Sequence, residues 1–187
     1  MVRAATAQDA YRLVIVGGGA AGVELAFATQ YAFVTQQCRQ AAVTLVASAH
    51  MILPRHAASV KARTLRLLQQ LGIRLIQGQS MGAAGGIIFL DGSSLPADCL
   101  LAATGAQPLA WLRDTGLALD ERGCVLVDAQ HRSVSHPNVF AAGDMRMRND
   151  ISLPRSSVHA VFAGPVLAYK LLASIDGRAL QRYLSPA

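Results

Sequence analysis

Cysteine is scarce in this chain, which has three among 187 residues. Cys38, Cys99 and Cys124 are far apart, odd in number and form no Cys-x-x-Cys pair. This spacing predicts neither a disulfide framework nor a zinc site, and it leaves redox chemistry by a cysteine pair without support. We expect the three residues to be reduced, buried thiols, and we expect the protein to be cytoplasmic.

Long apolar runs and charged residues are also few. Every apolar stretch is broken by Gly, Thr or Lys well short of the about 20 residues that a transmembrane helix requires, and residues 1–12 are too polar for a signal peptide. Charged residues make up 15% of the chain and hydrophobic residues 52%, with a mean hydropathy of +0.34. This excess predicts α/β strands buried on both faces, or surfaces covered by something outside this chain.

A basic run interleaved with aromatic residues is absent as well. The formal charge is +6, but the arginines are scattered along the chain. This distribution argues against a nucleic-acid partner.

Glycines are present in one informative pattern. The strand-forming run 13–16 is followed by Gly17, Gly19 and Gly22, which fit G-x-G-x-x-G, and then by a helix-forming segment. In this context the first glycine permits the turn, the second lets a pyrophosphate approach the backbone, and the third lets the helix pack on the strand. The helix N-terminus attracts phosphate. We therefore predict a dinucleotide site in this loop, which also contains Gly18, Ala20 and Ala21.

Alternating strand and helix patterns extend this motif into an α/β domain. We expect a helix to about residue 37, strands at 42–47, 73–76 and 98–103, an amphipathic helix at 56–71, and an antiparallel meander within 77–96. The meander should lie across a parallel sheet. The helix at 56–71 should cover the sheet with five apolar side chains, those of Val60, Leu65, Leu67, Leu68 and Leu71.

One expected residue of a dinucleotide site is missing. An acidic residue about 20 positions after the glycines usually ends the second strand and binds the adenosine ribose. Ala47 and Ser48 occupy this place, and the nearest basic residues are His50 and Arg55. The choice between NAD and NADP is therefore open at the level of sequence.

Four motifs in order resemble the pyridine nucleotide-disulfide oxidoreductase superfamily, the flavoproteins with two dinucleotide-binding domains. These motifs are residues 17–24, the Leu-Pro at 53–54, the Ala-Thr-Gly at 103–105 and the Asn-Val-Phe-Ala-Ala-Gly-Asp at 138–144. Residues 111–113, 116–120, 135–137, 160–161 and 164–168 are most similar to the NADH-dehydrogenase-like module found fused to selenide, water dikinase. The resemblance implies an α/β FAD/NAD(P)-binding fold with a Rossmann-like parallel sheet and a β-meander, and it implies FAD and NAD(P) as cofactors.

The same resemblance assigns roles near the nicotinamide. Thr104 and Gly105 are expected beside bound nucleotide at the crossing between the two domains. Glu24 is expected to face the nicotinamide and the flavin, and is the candidate catalytic residue. Without the family, Glu24 is a first-turn charge that complements the helix dipole.

Other roles concern FAD. Gly143 and Asp144 follow an apolar strand at 139–141, and in relatives the aspartate binds the ribityl or pyrophosphate part of FAD. Without the family, Asp144 is equally a helix N-cap. Arg155 opens a helix that runs to about residue 174 with an interruption at 164–165, and in relatives this helix points its N-terminus at the flavin.

Only one glycine-rich turn occurs, whereas the family has a second one upstream. We therefore assign residues 11–104 to an NAD(P)-binding domain and residues 105–187 to the C-terminal portion of an FAD-binding domain. The expected partner is the missing N-terminal half of the FAD domain or another subunit, with a selenide, water dikinase domain as a further partner.

The sequence predicts an FAD-dependent NAD(P)H oxidoreductase whose fragment alone is inactive. The alternative is a non-catalytic nucleotide-binding or interaction module. A free-standing nicotinamide dehydrogenase has less support, because no Tyr-x-x-x-Lys set accompanies the glycine turn.

Overall fold

The computed structural model describes residues 1–6, 10–48, 52–54, 56–151 and 157–179. The chain divides into two compact units, Met1–Gly105 and Ala106–Ala187. Unit 1 contains α1 (Val2–Thr6), β1 (Tyr11–Val16), α2 (Ala20–Thr35), β2 (Ala41–Ala47), α3 (Ala58–Gln70), β3 (Arg74–Gln77), β4 (Ser80–Ala83), β5 (Gly86–Phe89), β6 (Ser94–Pro96) and β7 (Cys99–Ala102). Unit 2 contains β8 (Val125–Val127), β9 (Arg146–Arg148), α4 (Ser157–Ile175) and the short 3-10 helices Ala110–Asp114 and Gly143–Met145.

A four-stranded parallel sheet forms the centre of unit 1, in the order β3-β2-β1-β7. Strand β1 is in the middle, with Leu13 opposite Val43 on one side and Cys99 on the other. Its residues Leu13, Val14 and Ile15 are at most 1% exposed. The apolar β-branched run is thus buried on both faces, as a parallel sheet requires, and the predicted α/β class is confirmed.

Different elements pack on the two faces of this sheet. Leu13, Ile15 and Leu45 point into a core shared with Phe33 of α2. Val14 and Val46 point to the opposite face, where they pack against Ile87 of the three-stranded antiparallel sheet β4-β5-β6. The predicted meander across the parallel sheet is therefore confirmed.

Helix α3 covers less of the sheet than its sequence predicts. Thr64 and Leu68 are its buried residues, and α3 contacts the edge strand β3. Leu68 alone of the five predicted core positions is buried, so the prediction was wrong for Val60, Leu65, Leu67 and Leu71, which are 37–45% exposed. A helix that packs beside an edge strand buries only a narrow stripe of its surface. In α3 this stripe is one turn long, from Thr64 to Leu68.

Unit 2 has little regular strand structure. Strands β8 and β9 pair in parallel, with Leu126 opposite Met147. The strand predicted at 139–141 is not formed as a ladder, which corrects that expectation. Its residues are held to 131–133 by separate bonds, from the Ser133 N–H to the Val139 carbonyl at 2.8 Å and from the Ala141 N–H to the His131 carbonyl at 3.0 Å.

Helix α4 is continuous, so the predicted interruption at 164–165 was wrong. Pro165 lies inside the helix. Proline removes one N–H from the hydrogen-bond ladder, and the turns on both sides of it keep their helical form. None of the helices in the described part of the chain has the length and hydropathy needed to cross a membrane.

The cysteines are all free thiols. Cys38 and Cys124 are buried, as expected, but Cys99 is only partly buried. Cys99 begins β7, the edge strand of the parallel sheet, where one side of the strand has no neighbouring strand. The expectation of burial was therefore wrong for this residue.

Candidate functional site

The glycine loop, residues 17–22, lies at the carboxyl end of β1 between the ends of two neighbouring strands. The N–H of Gly17 donates to the Val46 carbonyl of β2 at 2.8 Å, and the N–H of Ala103 donates to the Val16 carbonyl at 2.7 Å. The start of the loop is therefore hydrogen-bonded to β2, and the residue after β7 is hydrogen-bonded to β1. In open α/β sheets ligands bind at this carboxyl edge.

Two of the glycines are required by close backbone contacts. Gly17 has φ +136°, and a β-carbon on it would overlap the carbonyl of Ala103. A β-carbon on Gly22 would overlap the carbonyl of Gly17. Only glycine at these two positions lets α2 start directly against the end of β1.

The other two glycines differ from each other. A β-carbon on Gly18 would lie 2.7 Å from the β-carbon of Ala47, which is itself buried at the end of β2. Gly19 is exposed and has open space where its β-carbon would be. It is the N-cap of α2 and provides no side-chain cap, so the first N–H groups of α2 have no partner within the helix. We call the open backbone at residues 17–22, together with the first N–H groups of α2, the nucleotide cradle. It has the space and the free donors that a pyrophosphate requires.

Exposed residues follow each neighbouring strand at the same edge. Ser48 comes directly after β2, and Thr104 and Gly105 come shortly after β7. Gly105 has φ +91° with open space around its β-carbon position. The structure therefore gathers the predicted residues of unit 1 at one edge of the sheet, with the exposed Ala20 and Ala21 beginning α2.

A further segment supports the glycine loop. The N–H of Leu53 donates to the Gly18 carbonyl at 2.8 Å, and both Ile52 and Leu53 are buried. Leu53 has φ +50°, a strained conformation for a leucine. The Nζ of Lys61 donates to the Pro54 carbonyl at 3.2 Å, so the first turn of α3 is attached to the same segment.

Glu24 is exposed on α2 and makes no hydrogen bond or ion pair with another described residue. It is the fifth residue of the helix, and the first turn contains no acidic residue. The alternative role as a first-turn charge is therefore wrong for Glu24. His50, Arg55 and Arg155 lie outside the described residues.

In unit 2, Gly143 and Asp144 form a 3-10 turn against α4. Gly143 has φ +69°, and a β-carbon on it would lie 3.8 Å from the β-carbon of Ala160. Asp144 is exposed, and its main-chain carbonyl accepts a weak hydrogen bond from the Cys124 thiol at 3.9 Å. Ala142 is the N-cap of this turn, so the alternative role of Asp144 as an N-cap is not observed there.

Sequence reasoning missed a group of buried basic side chains in unit 2. His131, Arg146, Arg148 and Lys170 are each at most 5% exposed. Arg148 forms a two-pronged ion pair with Asp150, at 2.7 Å and 2.6 Å. The alternation of Arg146 and Arg148 in β9 indicates that both point to one face, but nothing in the sequence indicates that this face is the buried one.

Burial changes the pKa values of this group. Loss of solvation, followed by the positive charges of Arg146, Lys170 and Arg148, lowers the pKa of His131 to about 4. Loss of solvation lowers the pKa of Lys170 to about 8, with Arg148 acting in the same direction and Asp128 opposing it. His131 is therefore neutral at pH 7.

Metal binding has no support within the described ranges, where no three or more His, Cys, Asp or Glu side chains come together as a metal site would require. The nucleotide cradle is the feature with a clear ligand chemistry.

Comparison with known proteins agrees with this geometry. The family described as pyridine nucleotide-disulphide oxidoreductase matches residues 2–164. The nitric oxide reductase FlRd-NAD(+) reductase of Citrobacter koseri is 34% identical over 156 residues, which are 79% of this chain and 38% of the relative. The chain therefore spans about two-fifths of the length of this relative.

Two solved structures are similar in fold. Putidaredoxin reductase, in a covalent complex with putidaredoxin, aligns with a TM-score of 0.69 at 24% identity, over 94% of this chain and 43% of that one. The protein Fdr9 aligns with a TM-score of 0.69 at 25% identity, over 91% of this chain and 42% of that one. The family is one of flavoproteins that use FAD and NAD(P). With a match over most of its length, and with the glycine loop at the strand ends, this chain belongs to the pyridine nucleotide-disulphide oxidoreductase family.

Proposed function

We propose that this chain is the NAD(P)-binding domain and the C-terminal portion of the FAD-binding domain of an FAD-dependent NAD(P)H oxidoreductase. The domains are residues 11–104 and residues 105–187. The observation that carries the proposal is the open cradle at Gly19, between the ends of three parallel strands, in a chain of this family.

The cradle has three parts with separate tasks. Gly17 and Gly22 set the shape of the turn, Gly19 leaves room for the pyrophosphate, and the first N–H groups of α2 bind its oxygens. When bound, the two cofactors supply hydride transfer from nicotinamide C4 to flavin N5, and the protein contributes alignment and electrostatics. In unit 1, Glu24, Thr104 and Gly105 are proposed to flank the nicotinamide.

The proposed FAD contacts lie in unit 2. The exposed Asp144 carboxylate accepts a hydrogen bond from a ribityl hydroxyl of FAD. Gly143 allows the cofactor to come close to the backbone. Arg155 is proposed as a further FAD contact, and the N-terminus of α4 favours negative charge. The motifs of unit 2 favour the NADH-dehydrogenase-like subtype, and the chain alone is expected to lack activity.

Titration of the purified 187-residue chain with NADH and with FAD tests this proposal. We expect saturable NADH binding, measured by nicotinamide fluorescence, without flavin absorbance or NADH oxidation. Glu24→Gln should retain NADH binding, because the pyrophosphate cradle is intact. A chain that binds neither cofactor contradicts the proposal.

A non-catalytic interaction module is the second candidate, and one observation favours it. The outer surface of α4 is apolar, with side chains 42–81% exposed at Val161, Phe162, Tyr169, Leu171, Leu172 and Ile175. Exposed apolar surface on this scale is typical of a protein contact. The proposed partner is a polypeptide that supplies the first half of the FAD domain, or a selenide, water dikinase domain, in the cytoplasm. Absence of binding to both NADH and FAD would favour this candidate.

A further inference from the structure

The net positive charge of this chain arises in one segment, although basic residues occur throughout the sequence. Residues 25–90 contain six Arg and Lys residues and no Asp or Glu. The formal charge of the whole chain is +6, so all other residues together are neutral. The six are Arg39, Arg55, Lys61, Arg63, Arg66 and Arg74.

This segment contains one side of the parallel sheet. Its strands β2 and β3 lie on one side of β1 in the order β3-β2-β1-β7, and α3 connects them; the segment also includes most of α2 and the strands β4 and β5. In a dinucleotide-binding sheet the adenosine ribose lies at the end of the second strand. The ribose side of the proposed site is therefore built from a segment that contains no carboxylate.

The end of β2 has no acidic side chain in the usual place. Ala47, the last residue of the strand, is buried. Ser48 is the first exposed residue after the strand. A serine hydroxyl can donate a hydrogen bond to a phosphate oxygen, whereas a carboxylate here would repel one.

The Lys61 ammonium group is hydrogen-bonded to residues 52–54, the segment that supports the glycine loop. Lys61 Nζ lies 3.2 Å from the Pro54 carbonyl, and the neighbouring Leu53 N–H lies 2.8 Å from the Gly18 carbonyl. Two hydrogen bonds thus connect the Lys61 ammonium group with the glycine loop. With three donor hydrogens, the ammonium can bind a phosphate and keep the bond to Pro54.

From this arrangement we propose that the nucleotide site prefers the 2′-phosphorylated dinucleotide NADP(H), with Ser48 and Lys61 contacting the 2′-phosphate. The inference rests on the proposed function, because it deepens the description of the same site. A hydrogen bond to a charged group contributes roughly 1.5–3 kcal/mol, which corresponds to about a tenfold to hundredfold preference.

Calorimetric titration of the full chain with two isomeric probes tests the inference. Adenosine 2′,5′-bisphosphate and adenosine 3′,5′-bisphosphate carry the same charge and differ in the position of one phosphate. We expect the 2′ isomer to bind at least tenfold more tightly than the 3′ isomer and than 5′-AMP. Because Lys61 is near the surface, the preference should decrease as salt concentration rises.

Three variants assign the preference to residues. Lys61→Ala and Ser48→Glu should each weaken binding of the 2′,5′-bisphosphate about tenfold, while Lys61→Arg retains it. Ser48→Glu should also strengthen 5′-AMP and NADH binding. Arg39→Ala is the matched control, because Arg39 is exposed just before β2, at the opposite edge of the sheet, and it should leave all affinities unchanged.

The results separate this inference from the proposed function. Binding of NADH and 5′-AMP without a preference for the 2′-phosphate overturns the inference and leaves the dinucleotide site intact. A preference that Lys61→Ala and Ser48→Glu do not reduce also overturns it. Failure of every nucleotide to bind overturns the inference and the proposed function together.

Discussion

The carbonyl oxygen of Gly17 occupies the position that a β-carbon on Gly22 would need. The turn off β1 and the first turn of α2 are therefore in direct backbone contact. We predict that Gly22→Ala destabilises unit 1 by about 1–3 kcal/mol, since overpacking forces the backbone to shift. Urea denaturation of the variant and the parent chain measures the difference.

Gly19 provides the matched control for this variant. Its β-carbon position is open, and its φ of −76° suits any residue. Gly19→Ala should change stability by less than about 0.5 kcal/mol, but it should reduce NADH affinity at least tenfold by filling the space of the pyrophosphate. Normal NADH binding by Gly19→Ala would contradict the position assigned to the pyrophosphate.

The sequence predicted those features that depend on neighbouring residues. The run 13–16 and the spacing of Gly17, Gly19 and Gly22 predict a strand, a tight turn and a helix, and the structure contains all three. Local sequence is sufficient here because backbone sterics and β-branching act over a few residues.

Burial was predicted less well because it depends on distant residues. The apolar periodicity of α3 identifies Leu65 and Leu67 as helix-face residues, but only the tertiary structure shows that β3 leaves them exposed. Likewise Arg146 and Lys170 are residue types that usually lie at the surface. Their burial follows from the packing of unit 2, for which the sequence contains no local signal.

The pair formed by Arg12 and Asp98 connects β1 to the residue before β7. The guanidinium donates from Nε at 3.0 Å and from a terminal nitrogen at 2.9 Å, and the Arg12 N–H donates to the same carboxylate at 2.8 Å. The side chain of Arg12, and then its N–H, hold the pKa of Asp98 at about 2, below the ordinary 3.8. We predict that Asp98→Asn destabilises the protein at pH 7.

The stability that Asp98→Asn removes should depend on pH. Because the pKa of Asp98 is lower in the folded state, its contribution is complete above pH 3.8 and is lost as the pH falls through about 2. The difference in unfolding free energy between Asp98→Asn and the parent should therefore shrink over that range. Glu121→Gln, at an exposed position, is the control and should show no such difference. A difference that does not depend on pH would exclude the carboxylate charge as its cause.

Gln37 is a non-glycine residue in the left-handed region, with φ +56° just after α2. The N–H groups of Gln37 and Cys38 donate to Val34 and Phe33 at 3.1 Å and 2.8 Å, which is the usual C-terminal arrangement of a helix that ends in glycine. We predict that Gln37→Gly stabilises unit 1 by about 0.5–1 kcal/mol, because relief of the left-handed strain exceeds the added entropy of the unfolded chain. Thermal unfolding should show a higher midpoint for Gln37→Gly, and a lower midpoint for Gln37→Val.

Lys170 is fully buried in α4, and its pKa of about 8 is below the ordinary 10.5. Between these values the unfolded chain binds more protons than the folded one, so stability rises with pH from about 8 to 10.5. We predict that Lys170→Met, which has a similar volume and no charge, is more stable than the parent chain at pH 7 and lacks this dependence. Urea denaturation at pH 7 and pH 10 measures both effects, and Arg122→Met, at an exposed turn, is the control.

The pKa of His131 gives a second test of the Lys170→Met substitution. Burial and the charges of Arg146, Lys170 and Arg148 lower its pKa to about 4 from 6.5, so the folded state is progressively destabilised as the pH falls from 6.5 to 4. Removal of one of these charges by Lys170→Met should raise the pKa of His131, as measured by NMR titration of its ring, and should reduce the loss of stability in acid. An unchanged His131 pKa in Lys170→Met would show that the Lys170 charge has no effect on the imidazole, and that burial and the two arginines account for the lowered pKa.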